Sequence, residues 1–414
     1  MFRKNMMLGG SYAAAFGYWA VAGVVVGLVC GAVGALFAMA VSFATGLREA
    51  QPWLLYLLPV GGVAIALLYR LFRLPLSVGT DAIIKSVRTQ EKVPILMAPA
   101  IFVSTFATHL LGGSAGREGA ALQLGGSIAA WLGDLLKPRE DRRRIFELCG
   151  MAALFSALFG TPLTAAIFVI EIIEVGEVNY RALFPCVVSA LTAALTAQAI
   201  GAPAEIFPLA AGLADAGALN LARAAGLGIL CALAAILFCH VMHFSGGLFK
   251  RLVKNDYLRM AAGGAAVILL TLAVGSRDYN GGGMEVILEA LAGEARPEAF
   301  ILKILFTAVT LSAGFKGGEI VPSFFIGATF GCVAGELLGL PPALGAGLGL
   351  VSVFCAVTNA PLASLVLSIE LFGSEYLPLM GICLGVAYML SGHISLYHQQ
   401  LFAHPKLGAG YDGK

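Results

Sequence analysis

Charge is so sparse along this chain that its helices are marked by where charge is missing, not by an amphipathic stripe. No Lys, Arg, Asp or Glu occurs in residues 10–45, and segments 53–69, 93–111, 151–170 and 182–204 are equally free of charge. Each run is about 20 residues or longer, enough to cross hydrocarbon as a helix. A spanning segment must be helical, because lipid offers the backbone no hydrogen-bond partner. The pattern predicts an all-α polytopic membrane protein. The first apolar run follows Arg3 and Lys4 but is too long for a signal-peptide core. The same texture continues to Leu390, so the run is read as mature protein.

Composition agrees: 59% of the 414 residues are hydrophobic and 12% are charged, against roughly 25% charged in soluble domains. A net charge of +2 leaves no electrostatic footprint for nucleic acid. Basic clusters at 70–73, 137–144 and 250–254 fall between apolar runs and read as loop anchors. Positive-inside bias puts such clusters in the cytoplasm, but too many crossings precede them for the sequence to orient the chain. The eight cysteines are scattered, mostly within apolar runs, with no close-spaced metal pair. No disulfide framework, metal site or cofactor is expected.

The chain repeats itself. Thr161-Pro-Leu-Thr-Ala-Ala-Ile-Phe-Val-Ile-Glu171 is similar to Ala360-Pro-Leu-Ala-Ser-Leu-Val-Leu-Ser-Ile-Glu370. Upstream, Gly116-Arg-Glu-Gly119 and the glycines after it match Gly317-Gly-Glu-Ile320 and the glycines after that, at nearly the same spacing. One transport domain over residues 1–414 is therefore expected, with a first repeat of about 12–204 and a second of about 216–392. Repeats with Gly- and Pro-interrupted helices are a pattern of secondary transporters, whose broken helices aim their N-termini at a midplane site. Unpaired N–H groups and partial positive charge there favour an anion.

Gly112-Gly-Ser-Ala-Gly-Arg-Glu-Gly119 joins two apolar runs and places Glu118 at membrane depth, where an ionisable group is a functional candidate by default. Ionised beside a helix start, Glu118 can occupy an anion's place; protonated, it can leave. One group thus links anion movement to proton movement. The bland reading is an exposed interhelical loop. Glu319, in Gly314-Phe-Lys-Gly-Gly-Glu-Ile-Val-Pro322, is the repeat partner, and its bland reading is a cap on its own helix. Thr80 or Asp81 reads as an N-cap, Tyr397 as an interface-belt residue, Asn280-Gly-Gly-Gly283 as a turn, and Glu171 and Glu370 as structural. Gly112-Gly-Ser114-Ala-Gly116 also matches a nucleophile elbow, which requires a preceding strand and a histidine partner. An apolar run precedes it here, so an intramembrane hydrolase is a minor alternative and no enzymatic activity is expected.

Together, Gly116-Arg-Glu-Gly119, Gly317-Gly-Glu-Ile-Val-Pro322, the repeated Pro-Leu helices and Ser395-Leu-Tyr397 resemble the CLC family of chloride channels and anion/proton antiporters, over nearly the whole chain. The resemblance implies a homodimer with one anion path per subunit. It implies gating and proton transfer at Glu118 and an anion held by the Tyr397 hydroxyl and the amides of Glu319 and Ile320. Val78, Gly79, Arg117, Gly119 and Val321 complete the anion-binding positions it implies. Several positions depart from the family pattern. Val78 stands where ordinary members carry a coordinating serine, Ala120 replaces a proline, and Ile172 replaces the internal proton-transfer glutamate. Gly-Gly-Glu-Ile-x-Pro resembles the fluoride-exporting branch. The expectation is a multi-pass transporter in lipid of the inner (plasma) membrane, exchanging fluoride or another halide for protons, with Glu319 as second proton carrier and Glu171 as its rival. A chloride/proton antiporter, a passive chloride channel and a cation-coupled organic-anion carrier are the alternatives. Because the chain ends soon after Tyr397, no cytoplasmic regulatory domain is expected.

Overall fold

The computed structural model describes residues 2–89, 91–136, 140–203, 205–210 and 216–406. The first half holds α1 (Phe2–Ala50), α2 (Leu58–Leu71), α3 (Thr80–Thr89), α4 (Met97–Leu110), α5 (Glu118–Leu135), α6 (Glu140–Phe159), α7 (Pro162–Glu171) and α8 (Leu183–Ile200). The second holds α9 (Ala218–Leu252), α10 (Asp256–Val274), α11 (Met284–Leu291), α12 (Ala299–Ala313), α13 (Ile320–Leu337), α14 (Pro342–Thr358), α15 (Pro361–Phe372) and α16 (Leu377–Leu390). A two-residue parallel pairing of Glu174–Val175 with Leu401–Phe402 ties the end of the described chain to the first half.

Six described helical stretches are long and apolar enough to cross a membrane, from Tyr12–Ala50 to Ile320–Leu337. Two expected spans do not form as single crossings. Segment 93–111 yields α4, whose 14 residues reach only about 21 Å at ~1.5 Å per residue, short of the ~30 Å hydrocarbon core. Segment 151–170 is broken between α6 and α7, where Gly160 has φ +68° and Pro162 opens the next helix. The matching break between α14 and α15 uses Asn359 at φ +55°. Asparagine tolerates this left-handed conformation, and its amide is held by Ile394 O and Gln400 Oε1, each at 3.0 Å. Half-length helices survive only where protein buries their ends.

The helices sort into two kinds. Those at the periphery (α1, α8, α9, α10) expose leucine, valine and phenylalanine to the surroundings. By contrast, α5 and α14 are buried over most of their length. Lipid is as apolar as leucine, so close packing, not hydrophobic drive, must hold the inner helices together. Glycine provides it. A Cβ at Gly331 would run into the backbone of Gly345 and Gly349 on α14, and one at Gly125 on α5 into that of Gly150 on α6. A seam of aromatic rings joins the halves. Phe168 lies 5.4 Å from Phe354, Phe354 lies 5.2 Å from Phe324, and Phe324 lies 5.7 Å from Phe159.

The repeated glutamates show how the halves are related. Glu171, at the end of α7, accepts from the amides of Leu362 and Ala363 at the start of α15 (3.0 and 2.8 Å). Glu370, near the end of α15, accepts from Leu163 and Thr164 at the start of α7 (3.0 and 2.8 Å). Each carboxylate closes the other half's helix start, so the two helices run antiparallel and the repeat is inverted. Replacing Glu171 with Ala should cost about 1.5–3 kcal/mol, the scale of lost hydrogen bonds to a charged group. Thermal unfolding in detergent measures this, and an unchanged midpoint would show that the clamp is not stabilising.

Candidate functional site

The two Gly-rich segments meet in the interior. Gly116 and Gly318 exchange both backbone hydrogen bonds at 2.7 Å, forming an isolated antiparallel bridge between the starts of α5 and α13. Neither glycine has room for a side chain. A Cβ at Gly318 would meet the amide nitrogens of Gly119 and Glu118, and one at Gly116 the carboxylate of Glu118. The 280–283 turn supports the bridge: Asn280 Nδ2 donates to Gly112 O at 2.7 Å, and Gly281 N donates to Gly113 O at 3.0 Å. Lys303, fully buried on α12, holds that turn through the carbonyls of Tyr279 and Gly281.

A cavity lies on each side of the bridge. The larger, about 740 Å³, is lined by Gly116, Arg117, Glu118 and Val321 together with Arg48, His109, Glu205 and residues 277–286 in part. Glu118 is fully buried. One of its oxygens accepts from the amide of Arg117 at 2.9 Å, and the other has no hydrogen-bond partner.

The smaller cavity, about 240 Å³, is lined by Val78, Gly79, Thr80, Asp81, Gln123, Lys316, Gly317, Glu319 and Tyr397, with His243 and His398 beside them. Glu319 and Tyr397 each present an oxygen without a partner. Tyr397 is buried, not stationed at a surface belt. Its loop is fixed from several sides: Leu396 N donates to Val357 O at 3.0 Å, Tyr397 N to Ser395 Oγ at 3.0 Å and Gln399 N to Asp81 Oδ1 at 3.1 Å. Gln400 anchors it further by donating to Ile172 O and Thr358 O.

The structure places Glu118, Arg117 and Val321 on the larger cavity and Glu319, Val78, Gly79 and Tyr397 on the smaller, while Gly119 and the buried Ile320 at the start of α13 line neither. Gly119 lies at the boundary, where an added Cβ would stand 3.4 Å from Glu319 Oε2. Three features were not legible in the sequence. Thr80, read as a cap, turns its hydroxyl to Gly119 O (3.4 Å) and to Gln123 Nε2 (3.3 Å). Asp81 receives the Tyr397 loop. Lys316 hydrogen-bonds the carbonyls of Leu76 and Val78 and lies over the Tyr69 ring, 4.6 Å from its centroid. Helical spacing gives no hint of these long-range pairings. The elbow serine and its sequence neighbour His109 do not pair with each other: Ser114 Oγ lies 3.1 Å from Thr307 Oγ1 and His109 Nδ1 lies 2.9 Å from Thr105 O.

Of the basic clusters, the one at 250–254 reaches the smaller cavity. Lys250 and Arg259 line it, Arg70 reaches Tyr257 at the start of α10, and Arg88 reaches Gln399. Arg143 pairs with Glu147, which accepts from Ser86 on α3.

Comparisons with known proteins bear on the family and the fold. The chain is 37% identical to a "Chloride/fluoride channel protein" of Pseudomonas syringae pv. tomato over 401 residues, covering 94% of this chain and 87% of the relative. It is 26% identical to an "H(+)/Cl(-) exchange transporter ClcA" of Vibrio parahaemolyticus, over 69% of this chain and 65% of that protein. The fold superposes on a CLC-type fluoride/proton antiporter with a TM-score of 0.89 and 31% identity, covering 93% of this chain and 98% of that one. A slow cyanobacterial Cl-/H+ antiporter shares the fold at a TM-score of 0.75 and 23% identity, over 90% and 94% of the two chains. With residues 61–392 matching its profile and the halves built around two opposed helix starts, this chain belongs to the family described as Voltage gated chloride channel.

Proposed function

We propose that this protein is a secondary transporter that exports fluoride in exchange for protons, and that Glu118 and Glu319 carry the protons. The observation that carries the reading is the placement of Glu118 and Glu319, each a buried carboxylate with an unpartnered oxygen, in two cavities on either side of the Gly116–Gly318 bridge. An ion that pauses between opposed helix starts is favoured if it is an anion. A carboxylate that competes for the same place must be neutralised to leave, so each anion step is tied to a proton step.

Fluoride is the favoured anion for two reasons. The fluoride-handling relative and the fluoride/proton antiporter structure are the more similar comparisons given above. Val78 offers no side-chain donor, whereas compact donors from the unpartnered Tyr397 hydroxyl and the α13 amides remain, suited to a small, strongly hydrated ion. Lys250 of the basic cluster at 250–254 lines the smaller cavity, and positive-inside bias on that cluster supports placing this cavity toward the cytoplasm of an inner (plasma) membrane and the Glu118 cavity outside. Residues of one chain line both cavities, so a homodimer would hold two independent pathways.

Purified protein in liposomes tests the reading. Fluoride efflux with proton uptake and without chloride efflux is the expected result. Comparable chloride exchange would favour a chloride antiporter, and anion flux without protons a channel. Glu319→Gln should fold and move fluoride with proton coupling reduced by about tenfold or more, a barrier change near 1.4 kcal/mol. Glu171→Gln should keep coupling, because Glu171 is committed to two helix amides. Intact coupling in the first variant and loss in the second would move the role to Glu171.

A further inference from the structure

The Glu118 cavity contains a second carboxylate that the exchange reading does not use. Glu205 stands on the segment joining the two halves. Phe207 secures that segment against Phe324 and Phe159 (ring centroids 6.1 and 6.5 Å apart), and Ala210 N donates to Leu291 O at 3.1 Å. Arg117, the residue before α5, places Nη2 2.6 Å from Glu205 Oε1. Its Nε lies 3.9 Å from Glu118 Oε1, beyond hydrogen-bond reach, and has no other acceptor. Glu118 Oε1 and Glu205 Oε2 are both buried without partners. One guanidinium thus stands between two carboxylates and hydrogen-bonds only one of them.

Most of the other charged groups around this cavity have partners of their own. Arg48 on α1 bonds His109 O and Glu49. His109 on α4 bonds Thr105 O. Arg277 bonds Pro52 O, and Asp278 pairs with Arg296. Glu285 opens α11 from the cavity wall. Among the described residues, Arg117 is the cation within ion-pair distance of both Glu118 and Glu205.

We infer that Glu205 is a positioning residue for the gate, competing with Glu118 for Arg117 and so setting how readily Glu118 exchanges its proton with the outer cavity. The inference rests on Glu118 being the gate. While Glu118 is ionised, Glu205 holds the guanidinium back from it. When Glu118 takes a proton, its claim on Arg117 disappears, the cation passes fully to Glu205, and the neutral gate moves without dragging a counter-charge.

The test is the pH profile of fluoride-driven proton transport by the full chain in liposomes, at a constant fluoride gradient. Glu205→Gln removes one negative charge and releases Arg117 to the ionised gate. The midpoint should move toward acid by about one to two pH units, the scale of one charge roughly 6–12 Å away at an effective dielectric near ~20. Arg117→Gln should move it toward alkali, and Glu205→Asp should restore the wild-type profile. A folded Glu205→Gln with an unmoved or alkaline-shifted profile overturns the inference. If Glu205→Gln does not fold, Arg117→Gln decides, and an unmoved profile there is equally fatal. Glu118→Gln separates the two readings. Persistent coupling in that variant refutes the gate itself, whereas lost coupling there with an unmoved Glu205→Gln profile refutes only the role of Glu205.

Discussion

Glu118→Gln will abolish proton movement coupled to fluoride export, by about 10²-fold or more, the scale on which a positioned proton carrier acts. The substitution keeps the shape of the neutral side chain, so the fold is expected to survive. It removes the ionised form, the only one that can occupy an anion's place at the helix start. Fluoride flux will then be either blocked, if the amide stays seated beside Arg117, or passive, if it swings aside. Simultaneous fluoride-electrode and pH recordings on the same liposomes distinguish these outcomes. Proton pumping against fluoride at the wild-type ratio would remove Glu118 from the mechanism.

Gly318→Ala should be nearly as damaging, although it adds a single methyl group and removes no titrating atom. The new Cβ has nowhere to go, because its neighbours are backbone atoms of Gly119 and Glu118 and backbone yields less than a flexible side-chain end. The two helix starts must separate, losing one or both of the 2.7 Å bridge bonds. Displacing a positioned group by about 1 Å can cost about 10²-fold in rate, and a similar loss of fluoride flux is expected. Gly385→Ala is the matched control, since nothing lies within 4 Å of its added Cβ. Equal flux in the two variants would show that the close approach at Gly318 does not matter.

The sequence made the fold legible where short-range signals coincide. Charge-free runs marked the helices, and the Gly, Pro and Glu pattern marked both helix starts and the repeat. It was less informative where one apolar run hides two elements. Residues 151–170 contain no charge to show a break, and only Gly160 and Pro162 reveal it. The candidate site was legible to the extent that its residues lie on the two motifs. Its remaining parts arrive from elsewhere in the chain, such as Asp81 beneath the Tyr397 loop, Gln123 beside Thr80, and Glu205 from the connection between the halves. Such pairings depend on how helices cross, and no local periodicity encodes them.

The mutual closure of α7 and α15 also constrains the order in which the protein can be completed during synthesis. The amide of Leu163 is capped by a residue 207 positions later in the chain. At roughly 5–20 residues per second, the first half emerges with an open helix start and waits about 10–40 s for Glu370 to be made. Throughout that interval Glu171, already synthesised, has no amides to hold. The first half is therefore made with two unmatched polar ends, and a chain interrupted before residue 362 keeps both an unpaired carboxylate and a bare helix start.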